Sequence, residues 1–305
     1  MDFLYLLESI RMPGLNEFML TITELGGEMA FLVTALIVFW CVDKRHGYFV
    51  LTVGFFGTLA NQFLKITCRV PRPWVLDPEF TILEQARAEA TGYSFPSGHS
   101  SNAVGTFGAL AVSLKTGWVR IACIIVAVLV PLSRMYVGVH TPADVMVGSG
   151  MALVFVLLMR PLVYGNHGKH IPTMLGIGVF LSICYLLYVE LFPFPADVDA
   201  VNLESAVKNG YTMLGALAGM VVVYYVDEHK LQFPVKAIWW AQILKVAIGL
   251  VLALIVKEGL KAPLDALFGG HMLARGIRYF LLVIVAGIVW PLSFRWFAKL
   301  GKKER

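Results

Sequence analysis

Long apolar runs alternate with short polar ones along the whole chain. Nine stretches, at about 28–42, 47–66, 100–115, 119–136, 143–163, 171–192, 209–226, 236–256 and 277–296, read as transmembrane helices. The reason is length: a helix needs roughly 20 apolar residues to cross the hydrocarbon core. The first and third of these stretches are short. Upstream of them, Phe3, Leu6, Leu7, Ile10, Leu15, Phe18 and Ile22 recur at helical spacing. That spacing predicts an amphipathic helix on the membrane surface, broken at Pro13-Gly14. The longest non-apolar stretch, 67–99, holds a predicted short helix over TILEQARAEA (81–90), and the next longest are 193–208 and 257–276. None has room for a soluble domain. The pattern predicts an all-α, polytopic bundle in three parts: an interfacial segment at 1–27, five spans at 28–165 and about four more at 166–305.

Composition agrees. The 305 residues are 58% hydrophobic and 15% charged, with mean hydropathy +0.74. Soluble domains carry about 45–50% apolar and about 25% charged residues. Disorder, collagen, coiled coil and a nucleic-acid-binding tail are all excluded by these values. The start, MDFLYLLESIRMPGLNEF, lacks a basic region and a small-residue cleavage site, so no cleaved signal peptide is expected. Cys41, Cys123 and Cys184 fall in apolar runs and Cys68 just beyond one. With no CxxC or Cys/His spacing, neither zinc nor a disulfide framework is expected.

The net charge of +5 is read through topology. Counting alternate sides puts Lys44, Arg45, Lys115, Arg120, Arg160, Lys169, Lys230, Lys236, Arg295, Lys299, Lys302, Lys303 and Arg305 on one face, thirteen in all. The other face receives eleven Lys and Arg residues, or eight once Lys65, Arg72 and Arg134 are set aside for chemistry. The positive-inside rule then predicts a cytoplasmic C-terminus, with 67–99 and 134–142 on the extracytoplasmic side.

Polar residues concentrate in three places: Lys65-Ile-Thr-Cys-Arg-Val-Pro-Arg72-Pro73, Pro96-Ser97-Gly98-His99-Ser100, and Ser133-Arg134 through His140 to Asp144. The span assignment puts all three on one side of the membrane. Three cations at an apolar boundary call for an anion. The arginine fork suits a phosphoryl group, and lysine adds a point charge. Ser97 offers a hydroxyl, Gly98 lets backbone approach closely, and the helix beginning there presents free N–H groups. His140 and Asp144 are four apart, hence on one helix face, where a carboxylate orients an imidazole and leaves its other nitrogen free to attack. His99 supplies a second imidazole to protonate a leaving alkoxide. The assembled chemistry is phosphoryl transfer to His140 followed by hydrolysis, with side-chain cations and no metal or other cofactor.

These residues resemble a known family. Lys65-x6-Arg72-Pro73, Pro96-Ser97-Gly98-His99 and Ser133-Arg134-x5-His140-x3-Asp144 look like the three signature motifs of the type 2 phosphatidic acid phosphatase superfamily, and the likeness covers about 28–165. The resemblance implies a vanadium-haloperoxidase-like helical core, with His140 as nucleophile, His99 as acid and base, and Asp144 as orienting partner. It also implies that Lys65, Arg72, Ser97, Gly98 and Arg134 bind phosphate. The implied substrate is a lipid phosphomonoester or pyrophosphate in a bacterial-like cytoplasmic membrane; the partners are membrane lipids, with no nucleic acid. The four later spans match nothing in the minimal core.

Outside the motifs, Lys245 stands near the middle of the eighth span. A charge there costs about 2.5–3.5 kcal/mol, which makes it a functional candidate or a snorkelling residue; Glu190 is a partner only at equal depth. Arg69 and Arg87 read as loop or headgroup contacts. Glu79, Glu84 and Glu89 read as a solvated loop without catalysis. Trp239, Trp240, Trp290 and Trp296 read as an aromatic belt. Two other functions use the same features: a lipid phosphotransferase with this site, and a lipid or anion transporter with the C-terminal spans as its path.

Overall fold

The computed structural model describes residues 1–300, apart from the side chains at 166 and 167. Lys302, Lys303 and Arg305, counted in the charge asymmetry, lie outside the described residues. Among the described residues all regular structure is helical. The chain divides into two compact units. The first comprises Met1–Thr34, Phe49–Pro161 and Pro193–Ala206, and the second Ala35–Tyr48, Leu162–Phe192 and Val207–Arg305.

The first unit begins with α1 (Asp2–Ser9) and α2 (Pro13–Glu24), separated where Pro13 opens the second helix. Pro is preorganised for that position because the N–H it lacks would have no helical partner. α2 meets α3 (Glu28–Ile37) at Gly26-Gly27 in a 55° bend. α4 (Lys44–Cys68) ends at the first motif, and short α5 (Pro73–Leu76) follows. α6 (Gly98–Ser113) packs on α7 (Gly117–Tyr136), and α8 (Pro142–Tyr164) follows the third motif. α7 shows how sequence sorts its faces. Ile121, Ile124, Ile125 and Val128 form an exposed apolar stripe, while Ser133 and Arg134 are buried. In a lipid-solvated helix the apolar face turns outward and polar groups turn in.

Seven helices are long and apolar enough to cross a membrane, or eight if the bent pair Pro13–Glu24 and Glu28–Val42 is one span. The expected ninth is α6, which has only 16 residues. At 1.5 Å per residue it is about 24 Å long, short of the roughly 30 Å core. Its Ser100, Ser101, Ala103, Gly105, Thr106 and Ala109 are buried; small side chains of this kind let neighbouring helices approach closely. The predicted helix at 81–90 is corrected: only Glu84–Ala86 forms a single 3-10 turn. The segment is held instead by long-range contacts, including Leu83 N–H to the Val137 carbonyl.

The second unit contains α9 (Ile171–Leu191), α10 (Ala200–Val226, entering it at Val207), α11 (Trp239–Gly259), α12 (Lys261–Leu267), α13 (Leu273–Ile284) and α14 (Phe294–Phe297). Lys245 is fully buried there. Its Nζ donates to the Val235 carbonyl at 2.9 Å and lies 4.5 Å from the Phe294 ring centroid. A carbonyl and a ring face thus solvate the ammonium from within the helix bundle. Glu190 is engaged by Tyr211 instead. Trp239 and Trp296 are exposed as a belt requires, but Trp290 turns inward and donates to the Lys245 carbonyl at 3.1 Å.

Candidate functional site

The third motif is built as a helix start. Thr141 caps α8, Pro142 occupies its first turn, and Asp144 returns to the cap: Thr141 N–H donates to Asp144 Oδ2 at 2.8 Å, and Asp144 N–H to Thr141 Oγ1 at 3.3 Å. This reciprocal capping box fixes the carboxylate before any contact with the histidine. The preceding turn passes through Gly138 at φ +90°, where a Cβ would meet Arg11 Nη2 at 2.9 Å and the Thr81 carbonyl at 3.1 Å. Only glycine fits both the backbone and the space. Arg11 also donates from Nε to the Tyr136 carbonyl at 3.0 Å, satisfying the C-terminal end of α7.

His140 and Asp144 are both buried, with Nδ1 to Oδ2 at 3.4 Å. Ser94, which the sequence reading did not single out, donates to the same Oδ2 at 2.6 Å and lies 3.4 Å from His140 Nδ1. Arg72 Nη1 meets His140 Nε2 at 3.0 Å and donates to the Val139 carbonyl at 3.0 Å. An arginine only donates, so Nε2 is the bare nitrogen and Nδ1 carries the hydrogen toward Asp144. Burial first, then Arg72, Arg134, Lys65 and His99, hold His140 well below the usual imidazole range. A neutral imidazole keeps a lone pair on its unprotonated nitrogen.

The second motif begins α6. Ser97 is its N-cap, accepting from Ser100 N–H at 3.4 Å and Ser100 Oγ at 2.9 Å. Ser97 N–H donates to the Asp144 carbonyl at 2.9 Å, joining the second and third motifs through backbone. At Gly148 of α8 a Cβ would sit 2.5 Å from the Ser97 carbonyl, so the two segments are in close contact. Gly98 and His99 follow in the first turn of α6, where backbone N–H groups are free for an anion.

The first motif and loop 77–97 complete the cluster. Lys65 Nζ donates to the Tyr93 carbonyl. Arg72 donates from Nε to Gly92 O at 3.1 Å and from Nη2 to Thr91 O at 2.8 Å. Arg134 is fully buried near the end of α7. Its Nη1 donates to Thr23 Oγ1 at 2.8 Å, while Nε and Nη2 have no hydrogen-bond partner among the described residues. A buried guanidinium with two unused donors fits a bound oxyanion.

The structure therefore brings Lys65, Arg72, Ser97, Gly98, His99, Arg134, His140 and Asp144 together. Lys245 is not among them, since its contacts all fall in the second unit. Glu89 is exposed, as a solvated loop requires, and its Oε2 lies 2.8 Å from His99 Nε2, a contact the sequence reading did not anticipate. Arg69 and Arg87 do take loop partners, Asp197 and Glu84. Among the described residues no group of three or more His, Cys, Asp or Glu is arranged to hold a metal ion.

Two family models match. The model described as PAP2 superfamily matches residues 44–168, and that of the PAP2 superfamily phosphatase transmembrane extension matches 211–303. The second match falls on the later spans that lacked a counterpart in the sequence reading. The chain is 33% identical over 168 residues to phosphatidylglycerophosphatase B of Bacillus subtilis (strain 168), covering 50% of this chain and 76% of that protein. It is 32% identical over 136 residues to an undecaprenyl-diphosphatase of Sulfolobus acidocaldarius, covering 44% and 64%. It is 24% identical over 262 residues to sphingosine-1-phosphate phosphatase 1 of Rattus norvegicus, covering 78% and 58%. No solved structure matches.

Proposed function

The chain belongs to the PAP2 superfamily, and on that premise we propose that it hydrolyses a lipid phosphomonoester or pyrophosphate through a phosphohistidine on His140. The observation that carries this reading is the line Arg72–His140–Asp144, with Arg134 beside it holding two unused buried donors. Arg72 Nη1 turns its hydrogen from His140 Nε2 to a substrate oxygen, and the freed Nε2 attacks phosphorus in line as the P–O bond to the leaving group breaks. His99 gives its proton to the departing oxygen. Lys65, Arg72, Arg134, Ser97 and the N–H groups at Gly98 stabilise the three equatorial oxygens as charge develops. Water then attacks phosphorus, its proton passes to His99, and the N–P bond breaks. Side-chain cations do the work that a metal does elsewhere, so the reaction is metal-independent.

The substrate is a membrane lipid. Relatives are named for phosphatidylglycerophosphate, undecaprenyl diphosphate and sphingosine 1-phosphate, all phosphates on long apolar tails. The site faces the extracytoplasmic side and the C-terminus faces the cytoplasm, on the excess of Lys and Arg that the basic C-terminal tail gives its face.

The test is phosphate release in detergent, with chelator present, from phosphatidic acid, phosphatidylglycerol phosphate, undecaprenyl pyrophosphate, sphingosine phosphate and glucose 6-phosphate. At least one lipid phosphate is turned over, glucose 6-phosphate is not, and His140→Ala abolishes release. Full turnover by His140→Ala removes the nucleophile assignment, and loss of activity on chelation removes metal independence.

A further inference from the structure

We propose that Glu24 and Glu89 form an acid pair that loads and holds the proton on His99, which makes the N-terminal helical corner a working part of the site. The inference rests on the phosphatase reading above and deepens it. Neither glutamate belongs to a signature motif, and Glu24 lies before the stretch matched as the PAP2 domain.

The geometry is direct. Glu89 Oε2 lies 2.8 Å from His99 Nε2, and Glu89 is hydrogen-bonded in turn to Glu24. Two carboxyl groups share a hydrogen bond only when one of them carries a proton. The His99 side chain is 14% exposed and that of Glu89 is 42% exposed, so the pair bridges solvent and the site. The corner carrying Glu24 is seated hard on this histidine. At Gly26 a Cβ would lie 2.8 Å from the His99 carbonyl and 2.6 Å from Val130 Cγ1. One residue before Glu24, Thr23 holds Arg134.

Chemistry supplies the need. The charged and titratable groups around His99 are Arg134 of α7, Arg72 before α5, His140 after α7, Glu89 of the loop and Glu24 of α2. A half-buried imidazole among two guanidinium groups favours its neutral form, yet a general acid must start charged. Glu89 offsets the cations and accepts from the ring N–H. The His99 hydrogen bond, ahead of other causes, holds the Glu89 carboxyl below the usual range. Solvent protonates the pair, and the pair protonates His99. With its Nε2–H held by Glu89, the imidazolium gives its Nδ1 proton to the alkoxide as the P–O bond breaks and the N–P bond forms. In the second half, attacking water returns a proton to His99, so the cycle consumes one water and no other reactant. Glu89 and Glu24 are positioning residues, since they act through His99.

The test compares two leaving groups. Wild type, Glu89→Gln, Glu89→Asp and Glu24→Gln are purified whole in detergent and assayed on phosphatidic acid and on 4-nitrophenyl phosphate. An alkoxide needs a proton to depart, whereas a nitrophenolate does not. Glu89→Gln is expected to lose about tenfold or more on the lipid at pH 7 while staying within about threefold on the aryl ester. The basic limb of its kcat/KM profile on the lipid shifts to lower pH by about one unit. Glu89→Asp restores part of both, and Glu24→Gln moves the limb the same way by less. Equal losses on the two esters, or an unmoved basic limb, overturn the proposal. If Glu89→Gln does not fold, the limb of Glu24→Gln decides. A wild type that releases phosphate from neither ester sinks the phosphatase reading itself, and this inference with it.

Discussion

Arg72 spends one Nη1 hydrogen on the bare Nε2 of His140, at 3.0 Å, and the other on the carbonyl of Val139 beside it. One guanidinium thereby fixes the tautomer of the imidazole and the backbone that carries it. The same group reaches Thr91 and Gly92, so it also anchors the loop that delivers Ser94 and Glu89.

A lysine has the charge but not the fork. Arg72→Lys is expected to lose the multiple carbonyl anchors and drop kcat/KM by about 100-fold or more, the scale of removing one transition-state donor. Steady-state phosphate release reads this. A loss under threefold would show that charge alone suffices.

The α2–α3 corner is packed without slack against α6 and α7. Gly26→Ala puts a methyl group 2.6 Å from Val130 Cγ1 and 2.8 Å from the His99 carbonyl. Overpacking of this kind costs about 1–3 kcal/mol. The variant is expected to unfold at lower temperature in detergent and to lose turnover, because the backbone of His99 has to move. Full stability with full activity would show that the corner yields freely.

The pH dependence follows from His140. Its pKa in the folded protein lies well below the usual imidazole value, from burial first and then from Arg72, Arg134, Lys65 and His99. As pH falls through about 6.5, the unfolded chain gains a proton at this position that the native site refuses. This group's share of stability is therefore fully present above that pH and declines below it. The neutral ring of His140 persists in the same window. A histidine-selective NMR titration in detergent is expected to show the ring of His140 still neutral at pH 6, and protonation at the ordinary value would contradict the site's electrostatics.

Much of this was legible from local signals. Apolar runs mark spans because transfer of a helix into lipid depends on its own residues. His140 and Asp144 declare a shared face by their spacing. Residue type and spacing also mark Lys65, Arg72 and Arg134 as candidates for an anion, since none has an inexpensive place at an apolar boundary.

Other features were settled only by packing. Thr23 reaches Arg134 across 111 positions, Ser94 reaches Asp144 across 50, and Glu89 meets His99 through a loop that reads as solvated. Such contacts depend on which helix corner seats against which helix end, and composition near any one residue carries no trace of that. The same holds for Lys245, where local sequence states only that a charge is buried. Its solvation by the Val235 carbonyl and the Phe294 ring depends on how the segment before α11, and α14 far along the chain, pack on that helix. Transfer from water to lipid sums over neighbours in the chain and can be read there, whereas pairing across the bundle is fixed by close packing in three dimensions.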